Sequence, residues 1–333
     1  MERENKIKIL VGFLCLSALL GGVFVLSPAV EDFLYWKLGS PDAYLANLRR
    51  GGRLFVENYG PIRDWQVEEP TFQAQSVLAV EVNQGQWRPL LAKNDQYPFV
   101  IASLTKLMTA MVAIDDYSLD RLVRISEEAV NQPEDTSFLK AGDYWRVEDL
   151  LRMALMESSN DAAYALAEIK GVGEFVQEMN KKAAEEGLTQ TRFVNPTGLV
   201  TEEGTNLSSS RDLANLTYDF LTNPAYEIMV EIVSCPEFSL LTPGGQFHHL
   251  MANSHQLLGE FSYLIGGKTG YLPDYGGSLL SIFQQPEKET YLLTVILDSP
   301  DRFGETEKLA AWLSHSYLHL FNYYGYAYSP DSK

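Results

Sequence analysis

An α+β fold, in which an antiparallel sheet is flanked by helices and joined by a mostly helical subdomain, is predicted by three features of the 333-residue sequence. Strand-like runs stand at both ends of the globular part: Ser76–Val82 (SVLAVEV) near its start, Ser278–Phe283 and Tyr291–Leu297 near its end. A long stretch of helical periodicity lies between them. Such an order gives a sheet whose edges come from opposite ends of the chain, with the helices set beside it.

The first element is an uncharged apolar run, Ile9–Leu26 (ILVGFLCLSALLGGVFVL). At ~1.5 Å per residue it is just long enough to cross a bilayer core of ~30 Å. Arg3, Lys6 and Lys8 precede it and Glu31, Asp32 and Asp42 follow it. That asymmetry predicts a cytoplasmic N-terminus, a single N-terminal transmembrane helix and an exported remainder. A cleaved signal peptide ending at Ser27-Pro28-Ala29 is the competing reading and would leave a secreted or periplasmic protein. Residues 1–28 are therefore taken as anchor or signal, 29–68 as a membrane-proximal stem, 69–325 as the functional domain and 326–333 as a tail. Within the stem, Ser40-Pro41 and Gly51-Gly52 bracket one short helix.

The globular part opens with the buried strand Ser76–Val82, and Asn83-Gln84-Gly85-Gln86 turns it back into Trp87–Leu91. Helical patterns cover Ala102–Ile114, Val147–Met156, Asn160–Ile169 and Val172–Glu186. The two late strands are joined by the polar turn Gln285-Pro286-Glu287-Lys288. The last element, Glu305–Tyr323, is an amphipathic helix with Leu309, Trp312, Leu313 and Leu320 on one face.

Charge and cysteines narrow the function. With 26 Lys+Arg against 44 Asp+Glu the net charge is −18, which argues against a nucleic-acid partner, since phosphate binding needs a basic footprint. The two cysteines, Cys15 and Cys235, exclude a disulfide framework and a cysteine zinc site.

Three short motifs carry chemistry. In Ser103-Leu104-Thr105-Lys106, positions i and i+3 share a helix face, so the lysine amine can reach the serine hydroxyl and activate it. Ser137-Phe138-Leu139-Lys140 has the same spacing but runs at once into the turn Ala141-Gly142-Asp143. In Ser158-Ser159-Asn160 a hydroxyl and an amide two residues apart can point into one cleft. In Lys268-Thr269-Gly270, Lys268 and Gly270 share one face of a strand to which an extended substrate could add. Each motif alone has an ordinary reading as a helix cap or a turn lysine. The three in this order form the set of the penicillin-binding proteins and class A β-lactamases.

The chain resembles the D-alanyl-D-alanine carboxypeptidases, low-molecular-mass penicillin-binding proteins, over residues 75–320. The likeness extends to Ala102–Ala110, Asn160–Ala163, Phe175-Val176, Met179-Asn180, Lys182-Ala183, Phe193–Leu199, Asp212–Ala214 and Gly267–Tyr271. It implies a penicillin-binding-protein and β-lactamase-like fold and a serine D,D-peptidase acting on peptidoglycan stem peptides. β-Lactam antibiotics would be ligands, and no cofactor or metal would be needed.

By this resemblance Ser103 attacks the penultimate D-Ala carbonyl and forms an acyl-enzyme. Lys106 is the general base, kept neutral by desolvation and by the like charge of Lys268. Ser158 relays the proton to the leaving amine and Asn160 holds the substrate peptide. Lys268 supplies positive potential, while Thr269 and Arg302 bind the terminal carboxylate on the Lys268–Gly270 strand. The amides of Ser103 and Tyr271 form the oxyanion hole. Where relatives commonly carry Thr and Ala after Lys-Thr-Gly-Tyr, this chain has Leu272 and Tyr275, which changes the expected cleft rim. A C-terminal β-rich domain and anchor, present in several relatives, is not expected; the N-terminal anchor would substitute for it.

Two histidine pairs are set aside as metal ligands: His315 with His319, which lack the glutamate of a zincin, and His248-His249, taken as a loop pair. Two other functions compete with a peptidase. A β-lactamase needs a deacylating glutamate, of which Glu202…Asn206 is a partial echo, and a catalytically silent wall-binding protein would keep the same fold.

Overall fold

The computed structural model describes residues 61–133, 138–261, 263–285 and 290–318. The N-terminal apolar run, the stem helix, Ser137, the turn at Pro286–Lys288, His319, Leu320 and the tail lie outside the described residues. Among the described residues no helix is long and apolar enough to cross a membrane.

In chain order the elements are β1 (Ile62–Arg63), β2 (Ser76–Asn83), β3 (Gln86–Lys93), β4 (Phe99–Val100), α1 (Thr105–Asp116), β5 (Leu122–Arg124), β6 (Tyr144–Arg146), α2 (Val147–Arg152), α3 (Asn160–Glu168), α4 (Val172–Glu185), β7 (Leu207–Ser208), α5 (Ser210–Thr222), α6 (Glu227–Ser234), β8 (Glu237–Leu241), β9 (Phe247–Ala252), β10 (Leu264–Leu272), β11 (Gly276–Gln284), β12 (Thr290–Ser299), α7 (Arg302–Ser316) and β13 (Tyr317–Leu318). They fall into two compact units. Pro70–Ala310 forms one, and the described residues of the other are 61–69 and 311–318.

The larger unit is built on a five-stranded antiparallel sheet in the order β10-β11-β12-β2-β3. One edge, β3, comes from the start of the unit and the other, β10, from its last third. β2, β11 and β12 are buried almost end to end, as their apolar runs require. β10 is an edge strand with its outer side unpaired within the sheet.

The helical part is centred on α1, which is buried from Thr105 to Ala113. Leu107, Met108 and Met111 belong to one core with Leu150, Leu151 and Leu155, and with Phe175 and Met179 of α4. Over these residues no face of α1 is left exposed, which makes it the central helix of this part.

The expected helix Val147–Met156 is present but changes its winding part-way. After Arg152 the chain widens into a π-helical turn, Met153–Glu157, and Ser158 caps it with φ 67° and ψ 28°. The amides of Ser158 and Ser159 both turn back to the carbonyl of Met153. The last helix ends sooner than its periodicity suggests. At Ser316 the carbonyl accepts from the amide of Asp64 at 2.6 Å, and Tyr317-Leu318 pair antiparallel with Ile62-Arg63. The Arg63 guanidinium lies 4.4 Å from the Trp312 ring centroid and 5.4 Å from that of Tyr317, which supports this pairing from the side. A third correction concerns His248-His249. They lie on β9, in the β8–β9 hairpin, rather than in a loop.

Candidate active site

Ser103 does not sit on the long helix but in the 3-10 turn Ala102–Leu104 that leads into it. Lys106 is in the first turn of α1 and has no exposed surface. Its Nζ lies 2.8 Å from Ser103 Oγ, 2.7 Å from Asn160 Oδ1 and 2.7 Å from the carbonyl oxygen of Thr197. Asn160, the first residue of α3, spends its own amide on the carbonyl of Pro133 at 2.8 Å. Its oxygen is thereby aimed at Lys106.

Two glycines press against the backbone around Ser103. A Cβ on Gly198 would stand 2.0 Å from the Ala102 carbonyl oxygen and 2.9 Å from the Ser103 nitrogen, at φ +92°. A Cβ on Gly270 would stand 2.8 Å from the Ile101 carbonyl oxygen and 3.3 Å from the Ser103 nitrogen. Glycine is the residue that permits both close approaches. The loop bearing Gly198 is tied down: Asn195 Oδ1 accepts from the Thr197 and Gly198 amides at 3.1 and 2.8 Å. Asn206 supports it in turn, accepting from the Val194 amide at 2.7 Å and donating to Thr105 Oγ1 at 2.9 Å.

Ser158 faces the same space. Its Oγ accepts from Lys268 Nζ at 2.9 Å, and the left-handed backbone at Ser158 is what turns the side chain toward β10. Lys268 is 1% exposed and donates also to its own neighbour's carbonyl, that of Thr269, at 3.1 Å. Burial pushes this amine well below the usual lysine range, and the charges of Lys106 and Arg302 push it the same way. The Thr269 hydroxyl donates to Ser254 Oγ at 2.8 Å.

Arg302 opens α7 and crosses over Gly277 of β11, where an added Cβ would meet its Cδ at 3.0 Å. Its guanidinium lies 5.5 Å from the ring of Tyr271 on β10 and 4.8 Å from that of Phe303. Burial lowers its pKa, and its buried Nε has no hydrogen-bond partner. Neither Lys268 nor Arg302 forms an ion pair among the described residues, although the chain as a whole is strongly acidic. Two sheltered cations without counter-ions beside an open strand edge make a receptacle for an anion.

Residues 64–301 match the D-alanyl-D-alanine carboxypeptidase family, peptidase S11. The chain belongs to this family. It is 33% identical over 213 residues to the D-alanyl-D-alanine carboxypeptidase DacF of Bacillus subtilis, covering 62% of this chain and 53% of that protein. It therefore spans about half the length of that relative. It is 35% identical over 260 residues to the D-alanyl-D-alanine endopeptidase of Escherichia coli, covering 74% of this chain and 78% of that one. Among solved structures, a serine-to-alanine mutant of the Streptomyces K15 DD-transpeptidase superposes with a TM-score of 0.65 at 26% identity, covering 73% of this chain and 98% of that one. Penicillin-binding protein D2 of Listeria monocytogenes, in its cefotaxime-bound form, gives 0.63 at 27% identity, covering 74% and 98%. The penicillin-binding-protein fold expected from the motifs is thus the fold observed.

In this D-alanyl-D-alanine carboxypeptidase family member the sequence-expected residues gather around one cleft. Ser103, Lys106 and Asn160 are joined by hydrogen bonds through Lys106, and Ser158 and Lys268 are joined directly. Gly270 abuts the Ser103 backbone, and Tyr271, 56% exposed, forms the rim with Arg302 behind it. The structure adds groups that no motif pointed to. The Thr197 carbonyl is a backbone atom and leaves no side-chain signal. Ser254 and His255 come from the loop after β9, whose Asn253-Ser254-His255 stretch has no pattern of its own. His255 is buried behind β10, with Nε2 2.9 Å from Ser281 Oγ, and burial pulls its pKa down to about 4.

Proposed function

We propose that the chain is a serine D,D-peptidase that cleaves the terminal D-Ala-D-Ala bond of peptidoglycan stem peptides and is acylated by β-lactams at Ser103. The observation that carries this reading is the set of oxygens around Lys106. Two of them, Asn160 Oδ1 and the Thr197 carbonyl, are pure acceptors. A neutral amine gives its two hydrogens to them and keeps its lone pair for the Ser103 hydroxyl at 2.8 Å.

The chemistry follows from that placement. Ser103 Oγ bonds to the penultimate D-Ala carbonyl carbon while its proton passes to Lys106 Nζ. The oxyanion sits between the Ser103 and Tyr271 amides, which remain fixed because Gly270 and Gly198 grip the Ser103 turn. The C–N bond then breaks, and the departing D-Ala amine takes a proton through Ser158. Water, deprotonated by Lys106, releases the acyl group in a second addition and elimination. Asn160 holds the peptide, while the carboxylate of the leaving D-Ala rests on Lys268, Thr269 and Arg302. The rest of the peptide lies extended along β10.

A β-lactamase reading is poorly supported. Glu202 is exposed, and Asn206 is buried and committed to Thr105, Val194 and Asn195, so neither is free to position a deacylating water. Incubation with a fluorescent penicillin is expected to leave a stable one-to-one adduct on Ser103, and a D-Ala-D-Ala pentapeptide is expected to lose one D-Ala. Rapid penicillin turnover with no lasting adduct would overturn this reading. We further propose that Ile9–Leu26 anchors the enzyme in the cell membrane with the catalytic unit on the extracytoplasmic side. Mass measurement of the membrane-extracted protein checks it; a mature chain starting near Val30 would show that the segment is cleaved.

A further inference from the structure

Besides its bond to Lys268, the turn that presents Ser158 is held by the β8–β9 hairpin and the loop that follows it. Two contacts do this. The Ser254 amide donates to the Met156 carbonyl at 2.8 Å, and His249 Nε2 lies 2.9 Å from Glu157 Oε2. Glu157 closes the π-helical turn and Ser158 is the next residue, in a left-handed conformation that a side-chain-bearing residue adopts only when its surroundings hold it. Both partners are well sheltered, His249 at 17% and Glu157 at 14% side-chain exposure, so water competes weakly for their contact.

The imidazole is fixed on its other sides too. Its Nδ1 lies 2.6 Å from His248 Nδ1, and its ring meets Phe138 edge-on at a centroid distance of 5.9 Å. The His248 ring is in turn set edge-on against Trp145 at 4.9 Å. When neutral, the pair has one consistent hydrogen pattern. His248 Nδ1–H donates to His249 Nδ1, which leaves His249 Nε2–H to donate to Glu157. The donor chain ends on the residue next to Ser158.

We propose that His249 is a positioning residue for the acyl-transfer reaction, tying Glu157 to the hairpin so that the Ser158 hydroxyl stays on Lys268. This rests on the serine-peptidase reading above, and it assigns to the hairpin a part in the reaction without contact to the substrate.

The test compares His249→Ala, His249→Gln, Glu157→Ala and the double variant His249→Ala/Glu157→Ala, in the full chain. Three readouts are taken: the acylation rate with a fluorescent penicillin, the fraction of protein finally labelled, and kcat and KM on a D-Ala-D-Ala peptide. His249→Ala and Glu157→Ala are expected to slow acylation and lower kcat by about 10- to 100-fold, the scale of a misplaced reacting group, with KM little changed and labelling still complete. His249→Gln, whose amide can reach the carboxylate, recovers most of the rate. The double variant is no slower than the slower single one. The proposal is overturned if His249→Ala acylates at the parent rate, if the two single losses multiply, or if slow labelling only mirrors a fall in the labelled fraction. Should His249→Ala not fold, Glu157→Ala, which leaves the hairpin intact, decides between these outcomes. Failure of the parent protein to label at all overturns the serine-peptidase reading itself, and is thereby distinguished from failure of His249.

Discussion

Lys268 Nζ lies 2.9 Å from Ser158 Oγ, and the amine is 1% exposed with no carboxylate beside it among the described residues. A buried cation without a counter-ion lowers stability, and burial here depresses the amine's pKa below its ordinary 10.5. Between its native value and 10.5 the unfolded chain holds a proton that the native chain lacks, so stability falls as pH drops through that window. Lys268→Met is therefore expected to abolish D-Ala release yet raise stability at neutral pH. The gain fades as pH approaches 10 or so, where the unfolded-state proton is also lost. Urea denaturation at several pH values, alongside an activity assay, checks both halves; a less stable variant at pH 7 would contradict the account.

Lys106→Ala removes the amine but keeps the Ser103 hydroxyl. Acylation by a labelled penicillin is expected to slow by about 10²- to 10⁴-fold, the usual contribution of a general base. Ser103→Ala should show no adduct at any time. Stopped-flow or gel-based labelling measures the first and mass spectrometry of the modified peptide the second.

The loop at Gly198 has no room for a methyl group. At φ +92°, with the Ala102 carbonyl oxygen 2.0 Å from the would-be Cβ, Gly198→Ala must displace the turn that carries Ser103. A loss of about 100-fold or more in acylation rate is expected from a shift of about 1 Å in the nucleophile. An unchanged rate would mean that the loop yields freely.

His255 sets an acid limit on the fold. Its pKa of about 4 in the native chain, against an ordinary 6.5, means that the unfolded chain binds a proton more readily as pH falls from about 6.5 to about 4. By pH 4 this costs about 3 kcal/mol, at about 1.4 kcal/mol for each pH unit crossed. His255→Gln, which can keep a bond to Ser281, is expected to flatten that part of the stability profile. Denaturation at pH 7 and pH 4.5 on both proteins measures the difference, and parallel profiles would refute it.

Much of this site was legible because its chemistry resides in side chains at fixed spacing. Ser103 and Lys106 are one turn apart, and Lys268 and Gly270 alternate along a strand, so short-range geometry carries the signal. What was not legible depends on tertiary approach. The Thr197 carbonyl and the His249–Glu157 contact join segments 91 and 92 residues from their partners, and no local pattern announces them. The helix details were hidden for a related reason. Periodicity continues beyond Ser316, but a pairing with Ile62-Arg63 ends that helix first, and the widening into a π turn at Met153 leaves no mark in the periodicity. In the fold, apolar runs foretold β2, β11 and β12, whereas β8 and β9 are short and leave apolar Leu241, Phe247 and Leu250 exposed, so hydrophobicity does not mark them as strands.

The strand order has a bearing on how the protein is made. β10 reaches β2 only across β11 and β12, so the rail beside Ser103 cannot be seated until the chain has been synthesised to about Ser299. A nascent or prematurely terminated polypeptide holds the serine and its amine but has nowhere to lay a peptide. Residues as far as about Ser299 are thus needed before the strand beside Ser103 has its place in the sheet.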